Sequence, residues 1–75
     1  MTASVLVIDD EPIVRETLTE FFTTIGYAVA VAASATEGRM QAARVLPDVI
    51  LVDLRLPDGD GLALLDALRG EDEDA

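Results

Sequence analysis

Asp48-Val49-Ile50-Leu51-Val52-Asp53 is an unbroken aliphatic run that ends in an acid, and Leu54-Arg55-Leu56-Pro57-Asp58-Gly59-Asp60-Gly61 follows it directly. A second run, Val5-Leu6-Val7-Ile8, also ends in acid, at Asp9-Asp10-Glu11. Short continuous Val/Ile/Leu runs of this kind read as strands buried on both faces, as in a parallel sheet. Open parallel α/β sheets form their functional crevice at the carboxyl ends of the strands. Two such strands side by side would deliver Asp9, Asp10 and Asp53 to one place.

The rest of the chain supplies the connections. Pro12 suits the first turn of a helix, where its missing N–H costs nothing. Val14, Leu18, Phe21 and Ile25 recur at helical spacing and predict one apolar stripe, closed by Gly26 in the C′ position. Tyr27 to Val31 predicts a short second strand. Ser34-Ala35-Thr36-Glu37 has the capping-box spacing, so a second helix is expected from Ala35 to about Arg44, weakened somewhat by Gly38. Val49 to Val52 is the third strand, and Pro57 to Gly61 a turn-rich loop. Leu62, Leu65 and Leu68 predict the stripe of a third helix, with Asp60 as its cap and Gly70 as its stop. The order is βαβαβα, and right-handed crossovers make this an α/β fold with a parallel three-stranded sheet. Phe21, Phe22 and Tyr27 are expected in or near the core, and Arg39, Arg44 and Arg69 on solvated helix faces.

Composition narrows the functions. Seventy-five residues suffice for one small domain. Fifteen acids against five basic residues give a net charge of −10, which opposes binding to nucleic acid or anionic lipid. Cysteine and histidine are both absent, which excludes disulfides, thiolate or imidazole metal sites, and cysteine or His-based nucleophilic catalysis. The amino terminus has no basic n-region, and no apolar stretch approaches the roughly 20 residues that span a bilayer. A cytoplasmic protein is the expectation.

The acids then carry the chemistry. Carboxylates gathered within a few ångströms repel one another and call for compensation. A hard divalent cation with oxygen ligands supplies it, and magnesium suits a site of one or two carboxylates, a carbonyl and waters. A carboxylate beside such an ion can attack phosphorus and form an acyl phosphate. The residues thus point to a phosphoryl-accepting aspartate. Asp9 and Asp10 also have a plainer reading as acids at the start of a helix, and Asp58 to Gly61 as turn and cap residues. An EF-hand calcium loop is disfavoured, because the twelfth-position Glu is missing and the flanks are strands.

The segments Val5 to Pro12 and Pro47 to Gly61 resemble the receiver domain of bacterial two-component response regulators, and the resemblance runs from about Ser4 to Arg69. It implies a flavodoxin-like, receiver-type fold. Residues 4–70 would be the amino-terminal part of a receiver, its first three strand–helix units, and residues 71–75 an acidic tail. It further implies that Asp53 is the phosphoacceptor, that Asp10 binds Mg2+ directly, and that Asp9 acts through a water. Arg55 would lend the metal its backbone carbonyl, and Pro57 and Gly61 would shape the loop. The implied donor is a phosphohistidine on a sensor histidine kinase or phosphotransfer protein. The implied role is a signalling module, a kinase substrate with at most weak self-dephosphorylation.

Receivers of this family have five strand–helix pairs, with a switch Ser/Thr ending the fourth strand and a phosphate-binding lysine ending the fifth. Neither position falls within these residues, and the chain has no lysine. Losing one such contact to a phosphoryl group costs on the order of 2–4 kcal/mol of transition-state stabilisation. Two further readings follow: a non-switching fragment that serves oligomerisation or protein binding through its exposed third strand, or the first part of a longer regulator. A phosphatase or phosphotransferase of another aspartate-nucleophile family is disfavoured, because the second Asp expected two residues after the first is Arg55 here.

Overall fold

The structure, a computed structural model, describes residues 2–73, with side chains to Arg69. Eight elements follow in order: β1 (Ser4–Ile8), α1 (Pro12–Thr24), β2 (Ala28–Ala32), α2 (Ala35–Val45), β3 (Val49–Val52), β4 (Arg55–Leu56), β5 (Gly59–Asp60) and α3 (Gly61–Glu73). The main sheet is parallel, in the order β2-β1-β3. β4 and β5 form a separate antiparallel hairpin with Leu56 opposite Gly59. That hairpin occupies the stretch read from sequence as a loop. Two-residue strands leave no periodicity to read, which is why the pattern missed them.

β1 is the central strand, and Val5, Leu6, Val7 and Ile8 are all fully buried. Their alternation divides the core. Leu6 and Ile8 face α2 and α3 in a cluster with Ala32, Leu56, Leu64 and Leu68, flanked by Ile50 and Val52. The register places Val5 beside Val49 and Val7 beside Leu51, on the opposite face. α1 packs against β1 and β2. Val49 and Leu51 accordingly remain 42% and 37% exposed.

The same geometry corrects the expected stripe of α1. Its half-buried set is Val14, Arg15, Leu18, Thr19 and Phe22, whereas Phe21 and Ile25 are exposed. The apolar stripe is wider than the surface that two strands present, so one border is left in solvent. Phe22 turns inward and meets Tyr27 edge-to-face at 5.4 Å between ring centroids. Gly26 does close the helix, with φ of +100°, a conformation that side-chain-bearing residues resist. β2 starts one residue later than expected, because the Tyr27 N–H is still bonded to the Phe22 carbonyl of the helix end.

α2 carries the expected cap: Ser34 Oγ accepts the Glu37 N–H at 3.1 Å. The Glu37 carboxylate reaches back to the Ala33 N–H, one residue before the partner of an ordinary capping box. Gly38 has a packing reason, since a Cβ there would come within 2.7 Å of Ile8 Cδ1. α2 ends at Leu46, a non-glycine residue in the left-handed region at φ 52°.

α3 departs from its expected phase. Gly61, Leu64 and Leu68 are buried, while Leu62 is exposed and Leu65 only half-buried. The helix begins at Gly61, packed against the backbone of Asp53, and this start sets which side chains turn inward. α3 also runs past Gly70 to Glu73, so Gly70 is not its stop. Of the segment read as an acidic tail, Glu71 to Glu73 continue the helix, and Asp74 and Ala75 lie outside the described residues.

Candidate functional site

Two ladder bonds build the site. The Asp53 N–H donates to the Ile8 carbonyl at 2.8 Å, and the Asp9 N–H donates to the Ala32 carbonyl at 3.0 Å. Each acid is thus the residue at which a parallel strand leaves the sheet, and β1 lies next to β3. Carboxylate oxygens of Asp9, Asp10 and Asp53 come within 4.8 Å of one another. Asp9 and Asp53 are half-buried and Asp10 is exposed. Three ionisable oxygens at this spacing, open to solvent on one side, form a donor set that fits a hard divalent cation and leaves room for water or phosphate oxygens.

Backbone contacts orient the acids. Asp9 Oδ1 accepts the Glu11 N–H at 3.0 Å, and α1 has Glu11 at its N-cap with no side-chain cap bond. Asp9 thus folds the turn before the helix and leaves the helix itself uncapped. Arg15 donates from Nη1 to the Asp9 carbonyl at 2.8 Å, pinning the Asp9–Asp10 peptide from the first turn of α1. Sequence reading passed over Arg15, whose only signal is its place one turn into the helix that follows the acids.

Beyond Asp53 the chain doubles back. The Arg55 N–H lies 3.4 Å from Asp53 Oδ1, a long contact, and the Arg55 side chain is exposed. The Gly61 N–H donates to the Leu54 carbonyl at 2.9 Å. A methyl group on Gly61 would overlap the carbonyl oxygen of Asp53. Only glycine allows α3 to start this close behind the acid. Asp60 caps α3 as expected, accepting the Leu62 N–H at 2.8 Å.

Asp58 does something that the sequence did not announce. Its carboxylate accepts the N–H groups of Ala35 and Thr36 at 2.6 and 2.9 Å and the Thr36 hydroxyl at 2.7 Å. These bonds, the Thr36 hydroxyl's first among them, hold its pKa down at about 2. The residue read as a local turn acid therefore caps a helix more than twenty positions earlier in the chain.

The family model for the response regulator receiver domain matches residues 5–75. The chain belongs to that family. Among curated relatives, the receiver segment is 39% identical over 69 residues to the TorCAD operon transcriptional regulatory protein TorR of Escherichia coli, covering 92% of this chain and 30% of TorR. It is 44% identical over 66 residues to the transcriptional regulatory protein KdpE of Mycobacterium tuberculosis, covering 88% of this chain and 29% of KdpE. Among solved structures, a CheY-like receiver domain protein from Methanospirillum hungatei superposes with a TM-score of 0.92 at 27% identity, over 95% of this chain and 57% of that one. A CheY-like receiver from Methylobacillus flagellatus gives 0.87 at 29% identity, over 92% and 58%. The receiver segment thus spans about a third or less of these curated regulators and under two thirds of the solved receivers. The fold is the first half of a CheY-like, flavodoxin-type receiver. Receiver domains are signalling modules of two-component systems, and their acidic pocket typically binds Mg2+.

Proposed function

We propose that this receiver segment accepts a phosphoryl group on Asp53 from the phosphohistidine of a sensor histidine kinase or phosphotransfer protein. The observation that carries the reading is the convergence of Asp9, Asp10 and Asp53 at the ends of two adjacent parallel strands. A carboxylate oxygen of Asp53 attacks phosphorus. The O–P bond forms as the P–N bond breaks, and the electron pair leaves with the imidazole of the donor. The product is a mixed anhydride on Asp53.

Asp10 and Asp53 would hold a magnesium ion directly, Asp9 would hold it through a water, and Arg55 would offer its backbone carbonyl. Bound there, the ion would neutralise charge on the phosphoryl oxygens. The chain itself keeps the nucleophile in place: the Asp53 backbone is bonded to Ile8 in front and braced by Gly61 behind. In this reading residues 4–70 are the receiver part, residues 71–75 add negative charge, and the module works in the cytoplasm, through altered protein contacts and without binding nucleic acid or membrane. Among the described residues no helix is long and apolar enough to cross a membrane.

The test is intact-mass analysis after incubation with Mg2+ and acetyl phosphate, run beside Asp53→Asn. An adduct of about 80 Da, one phosphoryl group, on the wild type alone is the expected result. An equal adduct on Asp53→Asn defeats the assignment.

A second reading, a non-switching piece that binds proteins or a second copy of itself, is favoured by one observation. β3 pairs with β1 on one side only, which leaves its other edge unpaired, and one face of the strand carries the exposed Val49 and Leu51. An apolar edge strand is a ready partner for another strand.

A further inference from the structure

We propose that Asp58 is a positioning residue for the acceptor loop: capping α2 from across the fold, it holds the Asp53–Gly61 segment against that helix and so keeps the acid cluster assembled. The functional half of this inference rests on the phosphoacceptor reading of Asp53.

The argument begins with the orphan donors of a helix start. The first four N–H groups of any α-helix have no partner within the helix. In α2 the first helical bond is that of the Gly38 N–H to the Ser34 carbonyl at 2.9 Å, and of the donors before it the Glu37 N–H reaches Ser34 Oγ. Ser34 cannot serve the remaining two, Ala35 and Thr36. Asp58 takes both, and adds the Thr36 hydroxyl. The Ala35, Thr36 and Glu37 donors are thereby satisfied, two of these three by a residue from the β4–β5 hairpin. A carboxylate is favoured here twice over, by charge-assisted hydrogen bonds and by the positive end of the helix dipole.

Packing holds the hairpin as well. Its buried anchor is Leu56, and its tip rests on α2, where a Cβ on Gly59 would sit 3.5 Å from that of Ala35. The hairpin begins two residues after Asp53 and ends at Asp60, next to Gly61, which packs against the Asp53 carbonyl. Movement of the hairpin away from α2 is therefore movement of the peptide that supports Asp53 and contains the Arg55 carbonyl. Supporting residues of this kind govern the affinity of an oxygen-ligand site without touching the ion.

The experiment compares Asp58→Ala and Thr36→Val with Ser34→Ala in the full chain, by amide hydrogen exchange and by NMR titration with Mg2+. Ser34→Ala is the control, because it removes a cap from the same helix turn without a link to the hairpin. Asp58→Ala is expected to speed exchange of the Gly61 N–H, which bonds Leu54, by roughly tenfold. Ser34→Ala should speed exchange at Glu37 and leave Gly61 as in the wild type. Mg2+ affinity should fall roughly tenfold in Asp58→Ala and not in Ser34→Ala. Unchanged Gly61 exchange in Asp58→Ala, or an equal effect from Ser34→Ala, overturns the proposal. Should Asp58→Ala fail to fold, Thr36→Val, which keeps both backbone donors, decides by the same comparison with a smaller effect. Wild type that takes up no Mg2+ overturns the functional reading of the site, and the exchange comparison still decides whether Asp58 orders the loop.

Discussion

Asp58 receives both the backbone N–H and the hydroxyl of Thr36, at 2.9 and 2.7 Å, across 22 positions of sequence. The ionised carboxylate accepts these bonds more strongly than the protonated acid does, so they set a pH dependence. The folded pKa is depressed from 3.8 to about 2. A depressed carboxylate contributes stability that is fully present above its unfolded pKa and is lost as pH falls through the folded one. The contribution is therefore complete above about pH 4 and gone near pH 2. Asp58 is exposed, so solvent screens the effect and it is modest. Urea unfolding of wild type and Asp58→Asn across this range should show a stability difference at pH 5 that shrinks towards pH 2. A difference that does not change between these pH values contradicts the assignment.

Asp10→Ala should weaken Mg2+ binding while leaving the fold intact. Asp10 is exposed and follows β1, so its removal takes a carboxylate from the cluster and no core contact. Calorimetric titration with Mg2+ should show an affinity loss of about tenfold or more. An affinity equal to wild type would remove Asp10 from the ligand set.

Gly61→Ala tests the brace behind the acceptor. The added methyl overlaps the Asp53 carbonyl, and the atoms it meets are backbone, which cannot swing aside. Overpacking of this kind costs about 1–3 kcal/mol. Thermal melts should register that loss, and labelling by acetyl phosphate should fall along with it. Wild-type stability would show that α3 can start elsewhere.

Leu46→Gly should stabilise the chain. Leu46 holds the left-handed conformation at the end of α2 while 77% exposed, so it has strain and little burial to lose. Relief of αL strain is worth about 1–2 kcal/mol, offset by about 0.5–1 kcal/mol for the greater freedom of glycine when unfolded. A net gain of about 0.5–1 kcal/mol is expected in denaturant unfolding. A loss would mean that the Leu46 side chain does more than its exposure suggests.

Leu51→Lys addresses the open side of β3. If copies associate through this strand, sedimentation velocity of the wild type should show concentration-dependent association, and a charge at Leu51 should suppress it. Equal behaviour of the two proteins would place any association elsewhere. The substitution lies on the face opposite the Leu6–Ile8 cluster, so the main core is spared.

The local pattern of the chain determined a good deal by itself. The aliphatic runs at Val5–Ile8 and Val49–Val52 specified two strands; Val5–Ile8 is buried on both faces as its lack of polar positions implies, whereas Val49–Val52 lies at the sheet edge with Val49 and Leu51 exposed. Gly26 and Ser34 marked helix ends through their own backbone and side-chain chemistry. Acids ending two such strands made the grouping of Asp9, Asp10 and Asp53 legible before any coordinates. Tertiary structure alone decided the rest. Which border of the α1 stripe lies open depends on α1 meeting two strands, so Phe21 and Ile25 stay in solvent. The phase of α3 depends on Gly61 seating against Asp53, so Leu64 is buried and Leu62 is not. The role of Asp58 depends on a hairpin and a helix that approach only after folding. Periodicity and capping are written within a few neighbouring residues, whereas covering a stripe or satisfying a distant donor requires knowing what has packed beside it.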